Sequence, residues 1–260
     1  MNKQTFDWKT TPQLSIWQVL LATFIPSGVA FIGFHVVLPG LVANGLPVMV
    51  AWPAVASVML FGFVILAFIL LQREAARLGL SLWTRMCLKG LAPKEWALYG
   101  AVMVGVLIVS VVVQGILPAC MDAIGFGVPN YMPFFLNPAI NANTADMAVL
   151  SPGLPLSGRY DLLPLLAVTL LLNILTEEFY FRAWMLPKLA RYGEWSWVFN
   201  GVLFAFYHTF QLWLLPVLLV NSLGFAFVFY RSKSVWPPLA AHLIGNFFLG
   251  ILSILMLMAR

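Results

Sequence analysis

Apolar residues run through this chain in long unbroken blocks, not in the alternating patterns of elements that bury one face. The blocks lie near Ser15–Leu38, Leu46–Leu71, Trp96–Leu117, Leu162–Leu186, Ser196–Phe210, Leu212–Tyr230 and Val235–Met258. Most are close to the roughly 20 residues a helix needs to cross the hydrocarbon of a bilayer. The pattern predicts an all-α fold: a polytopic membrane helical bundle of about seven transmembrane helices, with six or eight as alternatives. The uncertainty in number comes from the fifth block, which is short and abuts the sixth at Gln211; a tight helical hairpin or a partly inserted element is expected there. The first block begins too late and runs too long for a secretory signal, contains Pro26 and Gly28, and is expected to remain as a helix.

The informative positions are the polar ones inside these blocks. Glu177, Glu178 and Arg182 stand within the fourth. An ionisable group at bilayer depth costs about 2.5 kcal/mol or more, so three in one span need partners or water. The other acidic residues, Asp7, Glu74, Glu95, Asp122, Asp146, Asp161 and Glu194, fall in tails, loops or helix ends. His208 closes the fifth block, and His242 and Asn246 stand one turn apart in the seventh. Counted inward at 1.5 Å per residue from the nearest cytoplasmic anchors, Lys188, Trp195 and Trp236 respectively, Glu177, His208 and Asn246 lie about 17, 20 and 15 Å deep, and His242 about 9 Å from Trp236. The first three agree within a turn, as a shared cavity requires. His35, without a polar neighbour on its own helix, reads as a packing hydrogen bonder.

Composition agrees with a bilayer as solvent: 62% of residues are hydrophobic and 9% charged, against about 25% charged in a soluble domain. Basic residues fix an expected orientation. Lys3 and Lys9 precede the first helix; Arg73, Arg77, Arg85, Lys89 and Lys94 follow the second; Lys188 and Arg191 follow the fourth; Arg231 and Lys233 separate the sixth from the seventh. Pro39–Gly45 and Pro118–Tyr160 carry one basic residue, Arg159. Seven spans then run with the N-terminus cytoplasmic and the C-terminus outside. The net charge of +5 is accounted for by these anchors, and no nucleic-acid partner is expected. Cys87 and Cys120 fall on opposite sides in this topology, so no disulfide is expected, and they offer no metal spacing. The chain reads as a single membrane domain: residues 1–117 with three helices, a long external loop over 118–160 that is either a gate folded onto the membrane or a mobile surface segment, and a four-helix catalytic core over 161–260.

On an α-helix Glu178 and Arg182 share a face while Glu177 points about 100° away. Glu178 is therefore expected to pair with Arg182 as structural support. Glu177, with no local cation, is left as a general base for a water. Glu with His can position and deprotonate water, and His and Asn donors can stabilise an oxyanion. The same side chains could instead ligate zinc around an open water position. No compact ligand motif such as HExxH is present, so metal-independent glutamate catalysis is favoured, with Glu177, His208 and His242 as the zinc ligands in the alternative.

Glu177-Glu178-Phe179-Tyr180-Phe181-Arg182 matches EExxxR, Phe204 to His208 matches FxxxH, and His242 to Asn246 matches HxxxN. In this order on successive helices, the three motifs resemble the CAAX protease and bacteriocin-processing family of intramembrane endopeptidases, over about Leu162 to Leu255. The resemblance implies that Glu177 and His208 hold and activate the nucleophilic water, that His242 and Asn246 stabilise the oxyanion, and that Glu178 and Arg182 form a supporting pair. It implies a membrane-associated protein or peptide substrate, in some members lipid-modified. Two other classes are weighed against it. A bacteriocin self-immunity protein or membrane scaffold has no need for all four polar residues. A proton-coupled carrier would bring half-helices or an inverted repeat, and neither is seen. Compact size and the lack of a targeting extension lead to the expectation of a prokaryotic plasma membrane.

Overall fold

The computed structural model describes residues 6–259, apart from the side chain of Asp122; Lys3 lies outside the described residues. Six helical stretches among them are long and apolar enough to cross a membrane: Ile16–Ala43, Val48–Leu78, Pro93–Met121, Tyr160–Tyr207, Thr209–Ser232 and Trp236–Met258. The fourth stretch is 48 residues long and folds in two at Gly193, whose φ of 58° and ψ of −130° are non-helical. It contains a helix over residues 163–185 and a separate fifth helix, Ser196–Tyr207. The seven expected helices are thus present, but the fifth has 12 residues, about 18 Å at 1.5 Å per residue. That is too short to cross about 30 Å of hydrocarbon.

The short helix packs antiparallel on the sixth, Leu215–Ser232, as a hairpin. A Cβ on Gly201 would lie 2.9 Å from the Leu223 Cα, so this position admits a hydrogen and no more. The corner of the hairpin begins at His208, whose ψ of 42° ends the fifth helix. The second helix packs on the fourth and the third on the sixth. Local sequence sets the ends: a Ser15–Gln18 capping box opens the first helix, and Gly79, at φ 65°, closes the second in the left-handed conformation. The third helix continues through Pro118 to Ile124, past the boundary that the apolar pattern marks at Leu117.

The connection that follows is packed down. Phe134, Leu150 and Leu156 are buried with Leu162, Leu166, Ile254 and Leu257. The Trp213 indole donates to the Leu136 carbonyl at 2.8 Å. His35 joins the Tyr131 hydroxyl, 2.8 Å from Nδ1, to the Phe210 carbonyl, 2.9 Å from Nε2.

At the other end of the bundle Glu74, Arg85 and Lys188, read from the sequence as helix-end and loop charges, form a second, buried charge cluster. The Glu74 carboxylate accepts from Thr11, Arg85 and Lys188. Glu74 is 5% exposed, Arg85 0% and Lys188 6%. Helix-end position was not enough to reveal this, because the N-terminal segment folds over the site. Lys188 Nζ donates to the Pro12 carbonyl, the Leu14 amide donates to the Lys188 carbonyl, and Trp8 stacks on Phe229. Cys87 is buried and Cys120 exposed, both free thiols. Burial raises the Cys87 thiol to about 11.

Candidate active site

Residues 163–185 form a continuous helix, but its second part, Glu177–Met185, is wound as a π-helix. The wider i→i+5 turn is rare and recurs at functional sites. Buried side-chain donors reach carbonyls of this segment, one of them, Phe181, already bonded to the Leu186 amide. Asn200 Nδ2 donates to the Phe181 carbonyl at 2.8 Å, and Arg85 donates to those of Ala183 and Trp184 at 2.6 and 3.3 Å. Asn200 and Arg85 are both 0% exposed, so these bonds are made in a dry site where an unmet carbonyl would cost about 1–3 kcal/mol. Phe181 packs on Phe204 and Tyr207 of the fifth helix, and Tyr180 on Phe63 of the second.

This segment brings Glu177 to the meeting point of three helices. Glu177 Oε1 lies 3.5 Å from His208 Nε2, and Oε2 lies 3.6 Å from His242 Nε2. Both imidazoles are oriented from behind. His208 Nδ1 is 3.0 Å from the Phe204 carbonyl, and His242 Nδ1 is 3.1 Å from Glu178 Oε1. A carbonyl or carboxylate at Nδ1 demands a proton there, so in each neutral ring the Nε2 lone pair is turned toward Glu177. Glu177, His208 and His242 are buried at 6, 5 and 7% exposure. Asn246 is accessible and lines the same cavity; it sits in a second π-helical stretch, Leu243–Phe248.

The helical depth count put His242 shallower than its partners, yet His242 and His208 both face one carboxylate.

The expected Glu178–Arg182 supporting pair makes no direct hydrogen bond. Glu178 turns to His242, and none of the three Arg182 guanidinium nitrogens has a hydrogen-bond partner among the described residues. Arg182 lies instead over the Phe204 ring, 4.1 Å from its centroid, with electrostatic attraction to both glutamates remaining. Each side chain is taken by a different neighbour: His242 Nδ1 for Glu178, and the Phe204 ring for Arg182.

The cavity has a volume of about 880 Å³, within the roughly 300–1,000 Å³ of small-molecule sites. Its walls away from the polar cluster are apolar, with Val29, Phe34, Trp52, Leu66 and Phe135 among them. Among the described residues no group of three His, Cys, Asp or Glu side chains is arranged to hold a metal ion.

Asn173 escaped the motif-based reading. Its Nδ2 donates to Glu177 Oε1 at 2.6 Å. A signal was available: Asn173 precedes Glu177 by four residues in an apolar helix, where a polar side chain needs a partner. Asn200, Glu74 and Arg85 left no comparable signal, since their partners are distant in sequence.

Residues 159–248 match the family model described as Type II CAAX prenyl endopeptidase Rce1-like. No curated protein and no solved structure matches the chain. The matched segment contains EExxxR, FxxxH and HxxxN, and ends two residues after Asn246.

Proposed function

We propose, with residues 159–248 forming a domain of the CAAX protease family as the premise, that the protein is an intramembrane endopeptidase in which Glu177 and His208 activate a water. The observation that carries the reading is the convergence of His208 Nε2 and His242 Nε2 on the two oxygens of one buried carboxylate. A water between Glu177 and His208 can give one hydrogen to Oε1 and the other to Nε2, which leaves an oxygen lone pair free to attack. The water oxygen bonds to the scissile carbonyl carbon as its proton passes to the Glu177–His208 pair, and the carbonyl π-electrons move onto oxygen. The resulting oxyanion is met by Asn246 Nδ2–H and by His242.

For His242 to donate from Nε2 while its Nδ1–H is given to Glu178, both ring nitrogens must carry hydrogen. Glu178 stabilises that cation from behind and so acts on the oxyanion through His242. Collapse of the intermediate breaks the C–N bond, and the proton held by Glu177 and His208 goes to the leaving amine. Arg182 offsets the charge of the two glutamates without bonding to either. The apolar cavity walls favour a membrane-associated peptide or protein whose cleaved segment carries apolar side chains or a lipid. The basic loop residues support a cytoplasmic N-terminus.

Replacing Glu177 by Gln in cells tests the reading. Membrane proteins that lose a C-terminal or leader fragment in wild-type cells should keep it in the variant. Fragment profiles identical in the two strains would count against an endopeptidase.

A further inference from the structure

We infer that Asn173 is a positioning residue for Glu177, holding its carboxylate in register with the two histidines. The inference rests on the reading of Glu177 as the base. The helix Leu163–Thr176 has three polar side chains, and they divide by partner. Thr169 donates to the Leu165 carbonyl at 2.8 Å and meets Ser57 of the second helix at 2.7 Å. Thr176 donates to the Leu60 carbonyl at 3.3 Å. Both are helix-packing contacts of the usual kind in membrane bundles. Asn173 differs: its side-chain amide is half-buried on the cavity wall and is directed at the carboxylate.

Two consequences follow from that bond. The 2.6 Å contact occupies one lone pair of Oε1, the same oxygen that faces His208 at 3.5 Å. With Oε1 fixed, the carboxylate cannot turn about its own axis, and Oε2 is held toward His242. The donor also favours the charged acceptor, so it keeps the base unprotonated to lower pH than an unassisted carboxylate in an apolar cavity.

The test is the pH profile of cleavage of a farnesylated fluorogenic peptide by purified protein. Asn173→Leu keeps the volume and removes the donor. The expected result is a kcat lower by about 10–100-fold near neutral pH, with KM changed little and the acid limb of kcat moved up by about one to two units. Asn173→Asp keeps the shape and places a second carboxylate beside Glu177. Two carboxylates cannot both ionise readily at that distance, so the limb should move further up. Asn173→Gln, which retains an amide, should return the limb toward the wild-type position. A packing role alone would lower thermal stability and leave the limb in place, and an unmoved limb in both the Leu and Asp variants would overturn the inference. Glu177→Gln in the same assay separates the two readings. An active Glu177→Gln would remove the base itself, whereas an inactive one beside an unshifted Asn173→Leu would remove only the role of Asn173.

Discussion

Glu74→Gln tests whether the buried charge cluster beneath the active site holds the bundle together. The substitution keeps the shape of the side chain and removes one negative charge. Arg85, 0% exposed, would lose the carboxylate that takes its Nε at 2.9 Å and its Nη2. It would keep the carbonyls of Ala183 and Trp184. Lys188 would keep the Pro12 carbonyl at 3.3 Å. Two cations are then buried with no counter-charge in hydrogen-bond reach, and breaking a buried pair in this way costs about 3–5 kcal/mol. Chemical unfolding in detergent, followed by tryptophan fluorescence, reads this directly, because Trp184 lies 5.5 Å from the Lys188 ammonium. Asp161→Asn, which breaks the exposed Arg159–Asp161 pair, is the control and should change nothing measurable. A Glu74→Gln loss below about 1 kcal/mol, the range of a surface pair, would refute the reasoning.

Glu178→Gln should lower kcat by about 10³-fold or more while KM stays near wild type. The neutral amide no longer stabilises the doubly protonated His242 that donates to the oxyanion; steady-state kinetics showing near-normal turnover would contradict this. Maleimide should label Cys120 in the folded protein and leave Cys87 unlabelled until unfolding. The sign follows from burial: a thiol raised to about 11 is protonated and unreactive at pH 8–9, and thiolate appears only as pH approaches that value. Mass spectrometry showing equal labelling of both at pH 8 would rule out the burial of Cys87.

The helical class and the helices themselves were legible in the sequence because apolar length is a direct readout of bilayer thickness. So were Glu177, His208, His242 and Asn246, since polar groups at depth stand out against Leu, Val and Phe. The pairing within EExxxR was not. Helical spacing places Glu178 and Arg182 on one face, but His242, which takes Glu178, comes from another helix 64 residues on. Nothing local in Glu-Glu-Phe-Tyr-Phe-Arg announces the wider turn; Asn200 and Arg85, which donate to carbonyls of this segment, come from elsewhere in the chain. Arg85 and Lys188 were legible as charges and misread as surface anchors, because their burial depends on the N-terminal segment lying across them. The fifth helix was recognisable as short, and Gly193 and His208 show why: backbone breaks on either side limit it to Ser196–Tyr207.

The central claim is that the Glu177 carboxylate activates the water that cleaves a peptide bond. Single-turnover cleavage of a farnesylated peptide by purified wild-type and Glu177→Gln protein, each with and without phenanthroline and each assayed for zinc, tests it most directly. The account predicts wild-type cleavage that survives the chelator at far less than one zinc per chain, and a rate about 10²–10⁴-fold lower for Glu177→Gln with unchanged thermal stability. Cleavage by Glu177→Gln within tenfold of wild type, or wild-type activity that follows stoichiometric zinc and is lost on its removal, would contradict it.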